Sequence, residues 1–297
     1  MKTFHCSLVL LVFLCSSLLY AQENYSSNPL EAQFVTEDVD RFWQAFDQLD
    51  HSENNPFEAY IEQGTPGLKG FIDNRILSAD SLLLMVHSRK EDYLKSRFLL
   101  DGLESKRKRI RAIYASMKYW YPEAVFPPIY FVVGRFNSGG TVSEAGVILG
   151  LEKQQNLDGL PGLVAHELIH FQQKNLGKNP DLLFQCLIEG SADFIGELIS
   201  GDQINGEAFT YGEENIEALC REFVTVMNQN SYKDWLYGTS GKDQRPNDLG
   251  YWIGYKITEA YFFKQEDKIS AIEEILLLKD HEAFLKSSGF LDKYLVE

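Results

Sequence analysis

The chain has 297 residues, of which 44% are hydrophobic and 13% aromatic, a composition ordinary for a globular protein with a sizeable core. Its formal net charge of −15 repels nucleic acid and anionic lipid, so we expect neither as a partner. One basic run, Lys106 to Arg109, follows Glu104 within a helical pattern and predicts a solvated helix face.

The N-terminus has the pattern of a cleaved secretory signal peptide. A positive start precedes an almost wholly apolar segment, Leu8 to Leu14, and Ala21 offers a small residue before the cleavage point. The apolar segment is too short for a membrane span, which needs about 20 residues. A lipoprotein attached through Cys15 is less favoured, because the two residues before it are bulky. We therefore expect residues 1–21 to be removed and the mature protein to be soluble in the periplasm or outside the cell.

Two cysteines, Cys186 and Cys220, remain after removal of the signal peptide. In an oxidising compartment they could form a disulfide, and two buried free thiols are the alternative. The sequence contains no CxxC pair, so it does not indicate cysteine metal ligands or thiol redox chemistry.

The chain divides into two parts by its patterns. Residues 22–125 carry apolar side chains at helical spacing and predict a helical N-terminal region, with a long helix from about Lys90 to Tyr121. Residues 126–297 open with two β-rich segments, Pro128 to Val133 and Gly146 to Leu151, and are otherwise mostly helical. We therefore predict a helix-rich α+β protein with a small sheet.

Two consecutive helices are predicted after the second β-rich segment. The first should stop around Gly177, and Asn179 with Pro180 fits the N-cap and first residue of the next helix. Gly201 should end that second helix. The turn between them is short enough to fold the second helix back on the first.

His166 and His170 lie four positions apart on the first of these helices, and therefore one turn apart on the same face. Two imidazoles placed in this way can both bind one Zn²⁺ ion. Glu167 sits beside the first histidine and can take a proton from water without itself binding the metal. The pattern HExxH also occurs by chance in unrelated helices, so its context decides its meaning.

The second helix carries the residues that would complete such a site. A catalytic zinc ion typically has three protein ligands and one open position. Glu189 can supply the third ligand, and Asp193 lies one turn further along the same face. There it can accept the free imidazole N–H of a metal-bound histidine. Gly190 and Ala192 are small, as close packing of the two helices would require.

These two segments resemble a known clan of enzymes. HELIH, from His166 to His170, followed by EGSAD, from Glu189 to Asp193, resembles the gluzincin zinc metallopeptidases, whose best-known members are thermolysin-like. The EGSAD form is more similar to bacterial predicted zinc proteases of unknown function, a group related to gliding-motility lipoproteins. The later stretch from Asp248 to Ile257 is also similar to a segment of those families. The resemblance covers roughly residues 129–263.

The resemblance implies a zincin-like fold with a small antiparallel-type sheet before the HExxH helix, and one Zn²⁺ per chain. Carried over to this sequence, it makes His166, His170 and Glu189 the metal ligands. It makes Glu167 the general base and Asp193 the group that orients a ligand histidine. The implied activity is the hydrolysis of peptide bonds in a peptide or protein substrate.

Peptide hydrolysis also needs a hydrogen-bond donor for the developing oxyanion. Thermolysin-like enzymes supply a tyrosine and a histidine from downstream of the zinc helix, but the histidine downstream here, His281, lies in a stretch that resembles a solvated turn. Tyr251, Tyr255 and Arg245 are better candidates, and Tyr251 is the residue we select. The alternative for the tyrosines is a packing stripe, and for Arg245 a surface loop.

The β-rich segment from Gly146 to Leu151 allows two interpretations. In gluzincins an edge strand before the zinc helix pairs with the substrate backbone, and the order of elements fits that role. The alternative is an interior strand of a hairpin.

The sequence leaves more than one function open. The leading hypothesis is a secreted zinc peptidase, and the alternative is a non-catalytic metal-binding or structural component of a cell-envelope machinery of the gliding type. An intact Glu167 favours hydrolysis, because a purely structural metal site needs the ligands but not the base. A third interpretation, an accidental HExxH, would require the EGSAD segment to be accidental as well.

Overall fold

The computed structural model describes residues 25–175, 180–237 and 245–295. The predicted signal peptide and Cys15 lie outside the described residues, as do Gly177 and Asn179 at the predicted turn. Within the described ranges, every helix is too short or too polar to serve as a membrane span.

The N-terminal helices form where apolar side chains recur at helical spacing. Helix α1, Glu37–Asp47, buries Phe42, Trp43 and Phe46, and its acidic first turn suits the helix dipole. The helices that follow are α2 (Phe57–Glu62), α3 (Pro66–Phe71), α4 (Ala79–Ser88), α5 (Lys90–Ser96) and α6 (Leu103–Trp120), with a π-helical turn at Ile72–Ile76 and a 3₁₀ turn at Leu99–Gly102.

The long helix predicted from Lys90 to Tyr121 is interrupted. It is divided into α5 and α6 by the 3₁₀ turn that ends at Gly102, a residue that weakens a helix interior because it loses the most backbone freedom on folding. The predicted end is nearly correct, because α6 stops at Trp120, just before Tyr121 and Pro122.

The described strands form one sheet in the order β1-β2-β4-β3. Strand β2 pairs in parallel with both β1 and β4, while β3 and β4 form an antiparallel hairpin. Every residue of β2 and β4 is buried, so both strands have continuous apolar sequences rather than alternating ones. The strand bounds are β1 Phe34–Val35, β2 Ile129–Val132, β3 Gly140–Ser143 and β4 Gly146–Gly150.

The α+β class predicted from the sequence is confirmed, but the sheet is mixed rather than antiparallel. The difference arises because β4 inserts between β2 and β3, so that it runs parallel to one neighbour and antiparallel to the other. The same order decides between the two interpretations of Gly146 to Leu151. That segment is an interior strand, and β3 lies at the edge of the described sheet.

The helices after the sheet begin with α7, which carries both histidines of the HELIH segment. The next helix, α8, begins at Leu182, because Asp181 rather than Asn179 is its N-cap and accepts a hydrogen bond from the Phe184 N–H. It ends, as predicted, at Gly201 in a left-handed conformation, with φ 76°. The helices are α7 (Leu160–Gln172), α8 (Leu182–Ser200), α9 (Gly206–Glu214), α10 (Ile216–Val226), α11 (Leu249–Lys264), α12 (Lys268–Leu277), α13 (His281–Ser288) and α14 (Asp292–Leu295).

Helix α8 is packed between α7 and α11 through small residues. A β-carbon added at Gly190 would lie 2.1 Å from the Tyr255 nitrogen, and one at Gly254 would lie 1.7 Å from the Cys186 carbonyl oxygen. Gly190 therefore allows α8 to approach α11, rather than α7 as the sequence suggested. On the α7 side it is Gly196 that lies against the backbone of His166. Cys186 and Cys220 are both buried free thiols, so they do not form the disulfide that the sequence allowed.

Candidate metal centre

Helix α7 presents its two histidines to the interior of the protein. The helix is buried on nearly every side, which fixes its orientation, and Pro161 in its first turn fits a helix start. His166 and His170 lie one turn apart, and their Nε2 atoms are 2.9 Å from each other. Both lone pairs can therefore point to one position.

Helix α8 adds a carboxylate at the same position. Oε2 of Glu189 lies 3.1 Å from Nε2 of His170 and 3.6 Å from Nε2 of His166. One ligand atom from each of the three residues lies within 4.8 Å of the others, a grouping that could hold a metal ion. Two imidazoles and one carboxylate are a donor set typical of catalytic Zn²⁺, so the residues present fit that metal.

Asp193 determines which nitrogen of His166 faces this position. Its Oδ1 lies 2.7 Å from Nδ1 of His166, so Nδ1 carries a proton and Nε2 is the nitrogen that faces the other two ligands. Asn205 donates from Nδ2 to the other oxygen, Oδ2 of Asp193, at 2.6 Å. The structure therefore places Asp193 where its carboxylate can orient the expected ligand His166.

Gln173 does the same for His170, and no pattern in the sequence predicted this contact. Its Oε1 lies 2.8 Å from Nδ1 of His170. Its amide orientation follows from its own partners, because Nε2 donates to the Ile188 carbonyl at 2.8 Å and lies 3.1 Å from Oγ of Ser191. The sequence contains only a weak signal, a glutamine three positions after a ligand histidine.

Glu167 is buried beside the two histidines. Burial raises the pKa of its carboxyl group, although the charges of His166, His170 and Arg75 partly oppose the rise. Strand β3 covers this carboxylate, and a β-carbon added at Gly140 would lie 2.4 Å from its Oε1. The edge strand and the expected base are thus in direct contact.

The charges of the ligands are coupled. Burial disfavours a protonated His166, but the carboxylates of Asp193 and Glu189 outweigh it and raise the pKa of the ring well above its ordinary value. Burial raises the pKa of Glu189, but His170 and His166 outweigh it and lower that pKa well below its ordinary range. The carboxylates of Asp193 and Glu189 therefore favour positive charge at this position.

Part of the sequence matches a known protein family. Residues 132–283, about half of the chain, match the model of the family described as "Predicted Zn-dependent protease (DUF2268)". The chain belongs to this family. The zinc-protease group expected from HELIH and EGSAD is confirmed at this level. No curated protein and no solved structure matches the chain.

Tyr251 lies within the family-matched segment and next to the centre. Its ring stacks on that of His166, with centroids 6.0 Å apart and planes inclined by 22°. Its hydroxyl has no hydrogen-bond partner among the described residues. Burial and the charge of Glu189 raise the pKa of this phenol well above its ordinary value, so it remains a donor.

The other downstream candidates lie elsewhere. Tyr255 packs against Phe194 and Phe209, which is the packing alternative. Arg245 is buried, not in a surface loop, and pairs with Glu222 at 2.8 Å. The remaining candidate, His281, is the first residue of α13, and its Nε2 lies 3.2 Å from Oδ2 of Asp181.

The family-matched segment also contains a second tyrosine at the centre, which the sequence did not predict. The hydroxyl of Tyr237 donates to Oε1 of Glu189 at 2.8 Å and accepts from Nε2 of Gln185 at 2.7 Å. Gln185 precedes Glu189 by one turn of α8, and this spacing could have identified Gln185 as a partner of Glu189. Tyr237 follows an irregular segment, and no local pattern marks its position.

Proposed function

We propose that this chain is a zinc-dependent peptidase of the gluzincin type, exported from the cytoplasm and holding one Zn²⁺. The observation that carries the proposal is the convergence of His166, His170 and Glu189, with Glu167 buried beside them. Membership of a family described as predicted zinc-dependent proteases supports the reaction class. The pattern of residues 1–21 is the support for export.

His166, His170 and Glu189 are the residues that would hold the ion. When bound, Zn²⁺ supplies a Lewis acid that polarises the scissile carbonyl and makes water a stronger nucleophile. Glu167 takes a proton from the attacking water and passes it to the leaving amine. Burial raises the pKa of Glu167, which makes its carboxylate a stronger base toward the attacking water.

Tyr251 is the proposed donor to the developing oxyanion. Its phenol stacks on a ligand histidine, and no described side chain occupies its hydroxyl. A phenol with a raised pKa keeps its proton at neutral pH and can donate it to a hydrogen bond when negative charge develops.

Strand β3 is the element we propose to pair with the substrate backbone. It forms the edge of the described sheet, and its first residue, Gly140, contacts Glu167. An extended peptide added to this edge would lie beside the base. This assigns to β3 the role that the sequence had left open for Gly146 to Leu151.

The test is peptide-library profiling of purified mature protein together with zinc analysis. We expect about one zinc per chain and cleavage of some library members. Glu167→Gln should reduce cleavage by at least about 100-fold while zinc content stays nearly unchanged. Glu207→Gln, an exposed residue of α9, is the matched control and should cleave normally.

The possible outcomes separate the functions. Full cleavage by the Glu167→Gln variant would refute the mechanism. Zinc-loaded protein that cleaves no library member would support the non-catalytic envelope component, since that function needs the ligands but not the base. Protein that takes up no zinc would contradict both.

A further inference from the structure

The two carboxylate oxygens of Glu189 have different surroundings. Oε2 faces the ring nitrogens of His170 and His166, at 3.1 and 3.6 Å. Oε1 points away from them and accepts from the Tyr237 hydroxyl at 2.8 Å and from Nε2 of Gln185 at 3.3 Å. The carboxylate is therefore held with one oxygen toward the metal position and the other occupied by hydrogen bonds.

The hydrogen of the Tyr237 hydroxyl is directed by Gln185. Nε2 of Gln185 donates to that hydroxyl oxygen at 2.7 Å, and an amide N–H cannot accept in return. The hydroxyl's own proton is then free to be donated to Oε1 of Glu189. The three side chains form a closed triangle that leaves Glu189 little freedom to rotate.

The backbone supports this arrangement at a conformational cost. Tyr237 has a φ of 61°, in the left-handed region that residues other than glycine rarely adopt. Such strain persists where the surrounding structure determines it, and it concentrates at functional sites. Trp235 and Leu236, which precede Tyr237, are both buried and anchor the segment. The ring of Tyr232 also packs against that of Tyr237, with centroids 5.9 Å apart.

We propose that Tyr237 is a positioning residue that keeps Glu189 a one-oxygen ligand and so leaves a coordination position open for water and substrate. The inference rests on the proposed function, since it assumes that Glu189 binds the metal. A carboxylate that bound through both oxygens would occupy the position that a His₂Glu catalytic site leaves open. A purely packing role would need the tyrosine ring, which is half exposed, but not its hydroxyl.

The test compares Tyr237→Phe with Tyr232→Phe in the full-length mature chain. Both changes remove one tyrosine hydroxyl from the same segment, but the Tyr232 hydroxyl donates to the Pro180 carbonyl at 2.8 Å rather than to a ligand. Zinc affinity is measured by competition with a chelator. We expect Tyr237→Phe to weaken it about 10- to 100-fold and Tyr232→Phe to leave it unchanged.

Substitution with Co²⁺ gives a readout that does not depend on cleavage. The visible absorption of protein-bound Co²⁺ is strong in a four-coordinate site and weaker when a fifth ligand atom binds. We expect the absorption of Tyr237→Phe to weaken as Glu189 turns its second oxygen toward the metal. Gln185→Leu should lower the zinc affinity and weaken the Co²⁺ absorption, as Tyr237→Phe does. It therefore tests the same three side chains if Tyr237→Phe does not fold.

Unchanged zinc affinity and an unchanged Co²⁺ spectrum in Tyr237→Phe would overturn the inference. A wild-type chain that bound no metal would overturn both the proposed function and this role. A wild-type chain that bound zinc but cleaved no peptide would overturn the peptidase alone, and the comparison of the two tyrosine variants would still decide the role of Tyr237.

Discussion

At the scale of single residues, each expected ligand has its own partner on the side turned away from the metal position. Asp193 holds His166, Gln173 holds His170, and Tyr237 holds Glu189. The partners differ in charge, since one is a carboxylate, one a neutral amide and one a neutral phenol. His166 should therefore be the more electron-rich of the two histidines, because a carboxylate acceptor increases the basicity of a ligand imidazole more than an amide does.

The amide partner gives a sharp prediction. Gln173→Leu removes the acceptor for the Nδ1–H of His170, so its ring is free to turn, and zinc affinity should fall about 10- to 100-fold. Gln172→Leu is the matched control. The neighbouring Gln172 is also buried and makes two hydrogen bonds, but both go to the backbone of Val125.

Chelator competition measures the affinity of both variants, and thermal unfolding measures their stability. Gln173→Leu should lose somewhat more stability, because it removes three buried hydrogen bonds where Gln172→Leu removes two. Equal zinc affinities in the two variants would show that Gln173 serves only the packing of α7 and α8.

The sequence predicted those site residues that lie on helices at regular spacing. His166, His170, Glu189 and Asp193 could be placed together because a helix repeats every 3.6 residues and two packed helices align their faces. Tyr237 could not, because its position depends on an irregular backbone with positive φ rather than on a period. Gln173 was missed because it follows the last residue of α7, where helical spacing no longer applies.

At the scale of elements, the contact between β3 and α7 determines where the base sits. Gly140 lies so close to Glu167 that any side chain there would displace the carboxylate. The atoms that would have to move belong to the flexible end of the Glu167 side chain, with the nearest at 2.4 Å. The protein should therefore fold normally with a methyl group at Gly140, but the displaced Glu167 carboxylate should catalyse poorly.

Gly140→Ala should lower peptide cleavage about 100-fold, since displacing a catalytic group by about 1 Å has effects of that size. Zinc content should stay near one per chain, because no ligand is touched. Gly139→Ala is the control, since its added β-carbon would lie 3.6 Å from the nearest atom, Nε2 of Gln154. Wild-type kcat/KM in Gly140→Ala would argue against Glu167 as the base.

Element order explains which parts of the fold were predictable. The apolar stretch of β4 was identified as a strand from composition alone. Its place between β2 and β3 was not, because strand order depends on how the connections pass one another rather than on any local pattern. The mixed sheet and the edge position of β3 therefore could not be predicted from the sequence.

At the scale of the whole molecule, the N-terminal helices support a loop next to the site. Tyr93 donates its hydroxyl to the Gly134 carbonyl at 2.6 Å, and the Arg75 carbonyl accepts from Nε of Arg135 at 3.0 Å and from Asn137 at 2.9 Å. Residues 134–139 lead directly into β3. The charge of Arg75, outside the family-matched segment, also partly opposes the rise in the pKa of Glu167. A role for residues 22–125 as a separate helical region stays a prediction.

The same loop depends on a buried acid that the proposed chemistry does not use. Oε1 of Glu152 accepts from the Phe136 N–H at 3.2 Å, and Oε2 has no hydrogen-bond partner among the described residues. Burial raises the pKa of Glu152 to about 7, even though backbone N–H groups of Gly134 and Phe136 oppose the rise. At neutral pH the carboxyl group is therefore close to half protonated.

This acid should make stability depend on pH. In the unfolded chain the Glu152 carboxyl has its ordinary pKa of 4.5, so between pH 4.5 and about 7 the folded state binds the additional proton. The free energy of unfolding therefore falls as pH rises through this range, by up to about 3 kcal/mol. Glu152→Gln keeps an oxygen acceptor for the Phe136 N–H but does not ionise, so this part of the fall should disappear.

Urea unfolding of the wild type, Glu152→Gln and Glu207→Gln at several pH values from 5 to 8 measures the difference. The exposed Glu207 carboxyl controls for a general loss of one negative charge, and its variant should follow the wild-type curve. All three proteins share the histidines and carboxylates of the metal centre, so only the contribution of Glu152 separates the curves. Parallel curves would mean that Glu152 is ionised in the folded protein at pH 5. The loop that leads into β3 would then be held by a carboxylate rather than by a neutral acid.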